Sequence, residues 1–120
     1  MQDIKFRGMS IATGEWVYGG YFWEERCGYN HDATCHFIVN NNMENVEVDP
    51  ATVGQFTGFR RNADVYKDDI CDTRTRFGKG VVTFEDGMFK LCGLSLVTFS
   101  GKLEVIGNIF DNPELLTKEA

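Results

Sequence analysis

The sequence predicts an all-β fold on three observations: apolar and polar residues alternate in short runs, turn chemistry returns about every ten residues, and there are 13 glycines against 2 prolines. Alternation with period two puts successive side chains on opposite faces of an extended chain, the geometry of a half-buried strand and not of a helix. A length of 120 residues fits one domain, residues 1–120. At that size roughly two thirds of the surface exposed by the unfolded chain is buried. Hydrophobic residues make up 42% and charged residues 25%, ordinary globular usage. A hydrophobic core can therefore form without crosslinks.

The elements follow in order. Ile4 and Phe6 alternate with Lys5 and Arg7 as a first strand, which Gly8 is expected to break. Glu15 to Trp23 is dense in aromatics, which suit a pleated surface, and Gly19-Gly20 suggests a bulge or bend within it. Glu24 to Ala33 is expected to be a polar loop. Residues 34–39, Thr-Cys-His-Phe-Ile-Val, form a third strand that Asn40-Asn-Asn42 ends. Val46 and Val48 flank Glu47 in a fourth strand, which Asp49-Pro50 is expected to close. Within Val81 to Leu91, Asp86-Gly87 supplies the positive-φ positions of a tight hairpin turn between two alternating runs. Ser95 to Ser100 and Leu103 to Ile106 are further strand candidates. Asn112 can cap a last short helix over Pro113 to Lys118, since proline is well placed where its missing N–H costs nothing.

From Val65 to Leu91 the order is an acidic turn at Asp68-Asp69, a strand through Ile70, a basic loop and the hairpin. That order resembles part of an SH3-like barrel. The expected architecture is a single small domain, an SH3-like or partly open β-barrel with a short C-terminal helical turn. Such a fold hosts many functions and constrains chemistry little.

Several ordered motifs add a family resemblance. They are Ile4-Lys-Phe-Arg-Gly8, Thr13-Gly-Glu-Trp-Val-Tyr-Gly19, Val48-Asp-Pro-Ala-Thr-Val-Gly-Gln-Phe-Thr-Gly58, Val65-Tyr-Lys-Asp-Asp-Ile70 and Glu104-Val-Ile-Gly-Asn-Ile-Phe-Asp-Asn-Pro-Glu-Leu115. Together they resemble the YopX family of phage and prophage proteins over most of the chain. The resemblance implies an all-β fold of barrel character, a phage- or prophage-encoded protein in the bacterial cytoplasm, and no established biochemical activity. The chain departs from the family pattern at Phe59 to Asp64, where the connection is shorter and lacks an Asn-Gly turn, and at Asp68, where the family has glycine.

Charge and composition bound the function. The net charge of −6 repels polyanions at long range, so nucleic-acid binding requires a local basic patch. No apolar run approaches the roughly 18 residues of a membrane span, and no membrane partner is expected. Cys27, Cys35, Cys71 and Cys92 are expected to be reduced thiols, because the N-terminus shows no export signal.

No catalytic residues, resident metal or cofactor are assigned. Cys27, His31, Cys35 and His36 have zinc-ligand chemistry but not a standard spacing, and adjacent strand residues such as Cys35 and His36 point to opposite faces. Cys71 and Cys92 sit in apolar strand patterns and read as core filling. Asp64, Asp68, Asp69 and Asp72 lack the glycine and terminal glutamate of a calcium loop, and Glu24-Glu25 reads as a solvated pair. Asp69 is expected to accept backbone N–H groups in a tight turn. Gly78-Lys79-Gly80 lacks the strand-loop-helix setting of a phosphate cradle, and no hydrolase, Walker or dinucleotide fingerprint is present.

Two binding readings remain. The first is a noncatalytic accessory protein that binds a protein partner or forms a homo-oligomer through the aromatic strand around Trp16 and a loop over residues 49–59. There Asp49 and Thr52 would organise the backbone, Gln55 and Thr57 would offer polar contacts and Phe56 would anchor. The alternative is nucleic-acid contact through Arg60, Arg61, Arg74 and Arg76, with Phe59 and Phe77 for base stacking. A small-molecule or metal-dependent enzyme is a third, unsupported by any motif.

Overall fold

A computed structural model describes residues 5–27, 33–99 and 101–116. Among them are β1 (Phe6–Ser10), β2 (Trp16–Cys27), β3 (Ala33–Val39), β4 (Asn45–Arg60), β5 (Asp64–Tyr66), β6 (Asp69–Asp72), β7 (Lys79–Val81), β8 (Thr83–Glu85), β9 (Met88–Leu91), β10 (Leu94–Ser95) and β11 (Glu104–Asn108). Two short 3-10 helices, Leu96–Phe99 and Pro113–Leu116, are the helical content of the described residues. The all-β expectation holds, including the C-terminal turn, though the expected end of that turn at Lys118 lies outside the described residues. The chain divides into two units, Met1–Gln55 and Phe56–Ala120.

In the first unit the sheet closes on itself. β1 pairs with β2 from Phe6 opposite Gly19 to Met9 opposite Trp16. β2 then pairs with β3 from Gly20 opposite Val39 to Cys27 opposite Ala33. β3 pairs with β4 over Phe37 to Val39, and β4 returns to β1 with Val48 opposite Ser10 and Gln55 opposite Phe6. All four pairings are antiparallel, and together they give the partly closed barrel that the sequence predicted. Ile38 and Val48 are its buried apolar residues.

β2 changes partner at Gly19-Gly20, where the sequence placed a bend. A Cβ on Gly19 would run into the Val39 carbonyl, so the two backbones can approach only because residue 19 has no side chain.

Three local expectations are corrected here. Gly8 does not break the first strand, since it pairs with Val17 inside β1; Ile4 lies outside the described residues. Glu24 to Cys27 continue β2, and β3 begins at Ala33, so these parts of the expected polar loop are strand; residues 28–32 lie outside the described residues. Asp49-Pro50 does not close the fourth strand either. Between Met9 opposite Asp49 and Arg7 opposite Gly54 the register slips, and Pro50 sits in that bulge, where no ladder N–H is demanded of it. Asp49 and Thr52 organise the bulge as expected of them: Asp49 Oδ1 accepts the Ala51 N–H at 3.0 Å, while Thr52 Oγ1 accepts the Met9 N–H at 2.8 Å and donates to the Asp49 carbonyl at 2.6 Å.

The second unit is built on two three-stranded sheets, β11-β6-β7 and β10-β9-β8, with β5 paired to the last part of β4. Its element order over Val65 to Leu91 is the expected one. Asp86 and Gly87 adopt φ of 55° and 76° between β8 and β9, the two positive values of a primed hairpin turn. The buried Asp69 side chain accepts the Tyr66 N–H at 2.7 Å, as predicted for a turn aspartate. Around it the Asp68 N–H donates to the Val82 carbonyl at 2.8 Å and the Val82 N–H to the Asp69 carbonyl at 2.9 Å. Val65, Cys71, Val82, Leu91, Leu96, Phe99 and Leu103 form the core. The expected strand from Ser95 is corrected: only Ser95 is strand, and Leu96–Phe99 coil into a 3-10 helix that buries Leu96 and Phe99 on one side. Ser100 lies outside the described residues.

Replacing Gly19 by alanine forces the β2 and β3 backbones apart and is expected to lower stability by about 1–3 kcal/mol. Urea unfolding of Gly19→Ala beside Gly20→Ala, where a Cβ meets nothing within 4 Å, separates the clash from a general loss of glycine.

Candidate functional site

Beyond its pairing with β1, β2 continues with β3 as a two-stranded ribbon. Among the described residues no strand lies beside Ala33 to His36 on the side away from β2. Opposite residues of an antiparallel pair share a face, so Tyr21 with Ile38, Trp23 with His36, and Glu25 with Thr34 line one side. Phe22 with Phe37 and Glu24 with Cys35 line the other. Each side carries ring contacts. Tyr21 stacks on His36 with centroids 5.9 Å apart, and its hydroxyl lies 2.7 Å from His36 Nδ1. Tyr21 also meets Phe6 at 5.5 Å and Trp23 at 6.1 Å. Phe22 and Phe37 stack at 5.1 Å.

These contacts order the ribbon but do not cover it. Trp23 on the ribbon remains 59% exposed, and Tyr18, opposite Arg7 in the stretch paired with β1, 46%. Trp16, by contrast, is half-buried, with the Arg7 guanidinium 4.6 Å above its ring. The aromatic strand therefore keeps rings in water, and the most exposed of them is Trp23, not Trp16.

The cysteine expectation is overturned. Cys27 and Cys35 are joined in a disulfide, with Cα atoms 6.0 Å apart, inside the ordinary span of such a bond. The hairpin register explains it: a bulge between Glu25 and Cys27 brings Cys27 opposite Ala33, two residues from Cys35. The signal available in the sequence was two cysteines at a separation of 8 bracketing one reversal of the chain. Bonded sulfurs are not thiolates, so this pair does not serve as zinc ligands; His36 is occupied by Tyr21, and His31 lies outside the described residues. Cys71 and Cys92 are not disulfide-bonded, the first buried in the core as expected, the second pushed up in pKa by burial.

The 49–59 segment is strand, not loop. Gln55 is half-buried and pairs with Phe6. Phe56 is 2% exposed and packs its ring 5.6 Å from Tyr66, with the Arg60 guanidinium 5.0 Å away. Thr57 is buried and donates its hydroxyl to the Val65 carbonyl at 2.8 Å. Sequence alternation cannot say which face of a strand turns inward, and here the inward face holds Phe56.

Two of the four arginines, Arg61 and Arg74, reach the start of β11. Arg61 Nε donates to the Leu103 carbonyl at 3.2 Å, and Asn62 exchanges two hydrogen bonds with the Val105 backbone, both at 3.0 Å. From the other side Arg74 Nη2 meets Glu104 Oε1 at 2.5 Å, and that hydrogen bond and charge raise the guanidinium pKa. Arg60 pairs with Asp64 at 2.9 Å, and Arg76 lies 5.6 Å over Phe77. The 58–64 connection and the 72–79 loop thus converge as the sequence suggested, through β11. Acidic partners take up two of the four charges.

Two open grooves lie in the first unit, one between residues 10–13 and 44–47, the other between residues 16–18 and 40–42. Among the described residues no helix is long and apolar enough to cross a membrane.

The family model of the YopX protein matches residues 5–117, nearly the whole chain. The chain belongs to the YopX family. No curated protein matches it.

Burial separates Phe56, which the sequence offered as an anchor, from Trp23. Phe56→Ala is expected to cost about 3–5 kcal/mol, and Trp23→Ala no more than about 0.5 kcal/mol, in urea unfolding. Thiol titration checks the bridge: without reductant the unfolded chain should show two reactive thiols, Cys71 and Cys92, and four after reduction, whereas four from the outset would mean the bond is absent.

Proposed function

We propose that this YopX-family chain is a noncatalytic accessory protein of phage or prophage origin that acts as one domain by binding another protein, with the outer rings of β2 as contact area. One observation carries the reading: Trp23 and Tyr18 present about half of their surface to solvent on an ordered strand. Aromatic rings contribute large contact area at little entropic cost when already held in place. The Tyr21, His36, Phe22 and Phe37 contacts supply that order.

Ionisable groups support the same reading, because many are paired off on the surface: Arg60 with Asp64, Arg74 with Glu104, and Lys90 with Asp86. Nucleic-acid contact through Arg60, Arg61, Arg74 and Arg76 is the weaker reading for the same reason. The host cytoplasm fits the proposed origin, and in a reducing cytosol Cys27 and Cys35 would be a dithiol, leaving the ribbon to its ladder and rings.

A photoreactive residue at position 23 or 18, in cells where the encoding element is induced, is expected to give one discrete protein adduct that reforms from purified components. The same residue at exposed Thr98 should not. Adducts equal at all three positions, or at none, would discard the docking reading, and a low-salt electrophoretic shift with single-stranded DNA would replace it with the arginine reading.

A further inference from the structure

The charge of the chain is unevenly placed. Residues 1–55 carry eight acidic and three basic side chains, whereas residues 56–120 carry ten and nine. Nearly all of the net charge of −6 therefore belongs to the unit that carries the exposed rings. We infer that the Trp23 face of the β2–β3 ribbon seats a lysine- or arginine-bearing segment of the partner protein. The inference rests on the docking reading above and names the chemistry of its partner.

The local geometry fits a cation. Trp23 and Glu25 lie two residues apart on one strand and on one face, opposite His36 and Thr34. Side chains so placed stand roughly 7 Å apart. An ammonium or guanidinium over the Trp23 ring thus lies beside the Glu25 carboxylate, and the ring quadrupole and the charge attract it together. The chain already uses this contact on β2, where Arg7 covers Trp16 at 4.6 Å. Trp23, 59% exposed, offers the same surface outward.

Charge also selects among occupants. A second copy would bring the same acidic surface to the ribbon and be repelled at low salt, as would a nucleic-acid backbone. A basic protein segment is attracted, and its approach is hastened by the field.

The probe is a short labelled peptide alternating lysine and threonine, read by fluorescence anisotropy against a glutamate-threonine counterpart, with the disulfide intact. Binding of the basic peptide alone is expected, weakening as salt rises. Trp23→Ala and Glu25→Gln should each weaken it about three- to fivefold, Trp23→Phe should restore part of the loss, and Glu85→Gln, the same charge change in the other unit, should do neither. Unchanged thermal unfolding certifies the fold of each variant. Equal binding of both peptides, no binding, or equal losses from Glu25→Gln and Glu85→Gln with none from Trp23→Ala would each overturn the basic seat. The crosslink at position 23 reports separately, so docking of a protein without this charge preference would be recognised as such.

Discussion

The first unit depends on one close approach, the passage of the β2 backbone against the Val39 carbonyl at Gly19. There β2 gives up β1 as its ladder partner and takes β3. Without that exchange the four strands would be a flat meander with two unsatisfied edges, an arrangement prone to pairing with other chains. With it, β4 can return to β1, and Ile38 and Val48 find an interior. The bulge at Asp49 to Val53 is the complementary device. It absorbs the mismatch between a long strand and a short partner, and it gives Pro50 a place in a strand that proline would otherwise interrupt.

The second unit is held by a different device, a buried carboxylate in a turn. Asp69 satisfies the Tyr66 N–H, and the backbone bonds between Asp68, Asp69 and Val82 fix β6 beside the entry to the hairpin. That geometry presents Cys71, Val82 and Leu91 to one core. Asp68 stands at φ 74°, a conformation that costs any residue with a Cβ about 1–2 kcal/mol. Its N–H and carbonyl are both engaged, by Val82 and Ile109, so backbone hydrogen bonds hold the strained residue in place.

The proposed docking role follows from the contrast between the units. One is nearly balanced in charge, and its Arg60, Arg74 and Arg61 are tied to Asp64, Glu104 and the Leu103 carbonyl. The other is strongly acidic and keeps the large Trp23 ring in water on a ribbon that ladder and ring stacking stiffen together. A stiff, acidic, aromatic ribbon is suited to recognition, because little freedom remains to be lost when a partner arrives.

The sequence by itself determined what is local. Alternation announced the strands, Asp86-Gly87 the hairpin, Asp69 its turn, Gly19-Gly20 the bend, and the ordered motifs the family. Tertiary structure decided what depends on partners distant in the chain: that β4 runs through Pro50, that Ser95 passes into a 3-10 helix, that Cys27 meets Cys35, and that Phe56 is covered while Trp23 is not. The reason is physical. A period of two shows that a strand has two faces but not which of them another strand will cover, and a ladder's register is set by residues that the local pattern never sees.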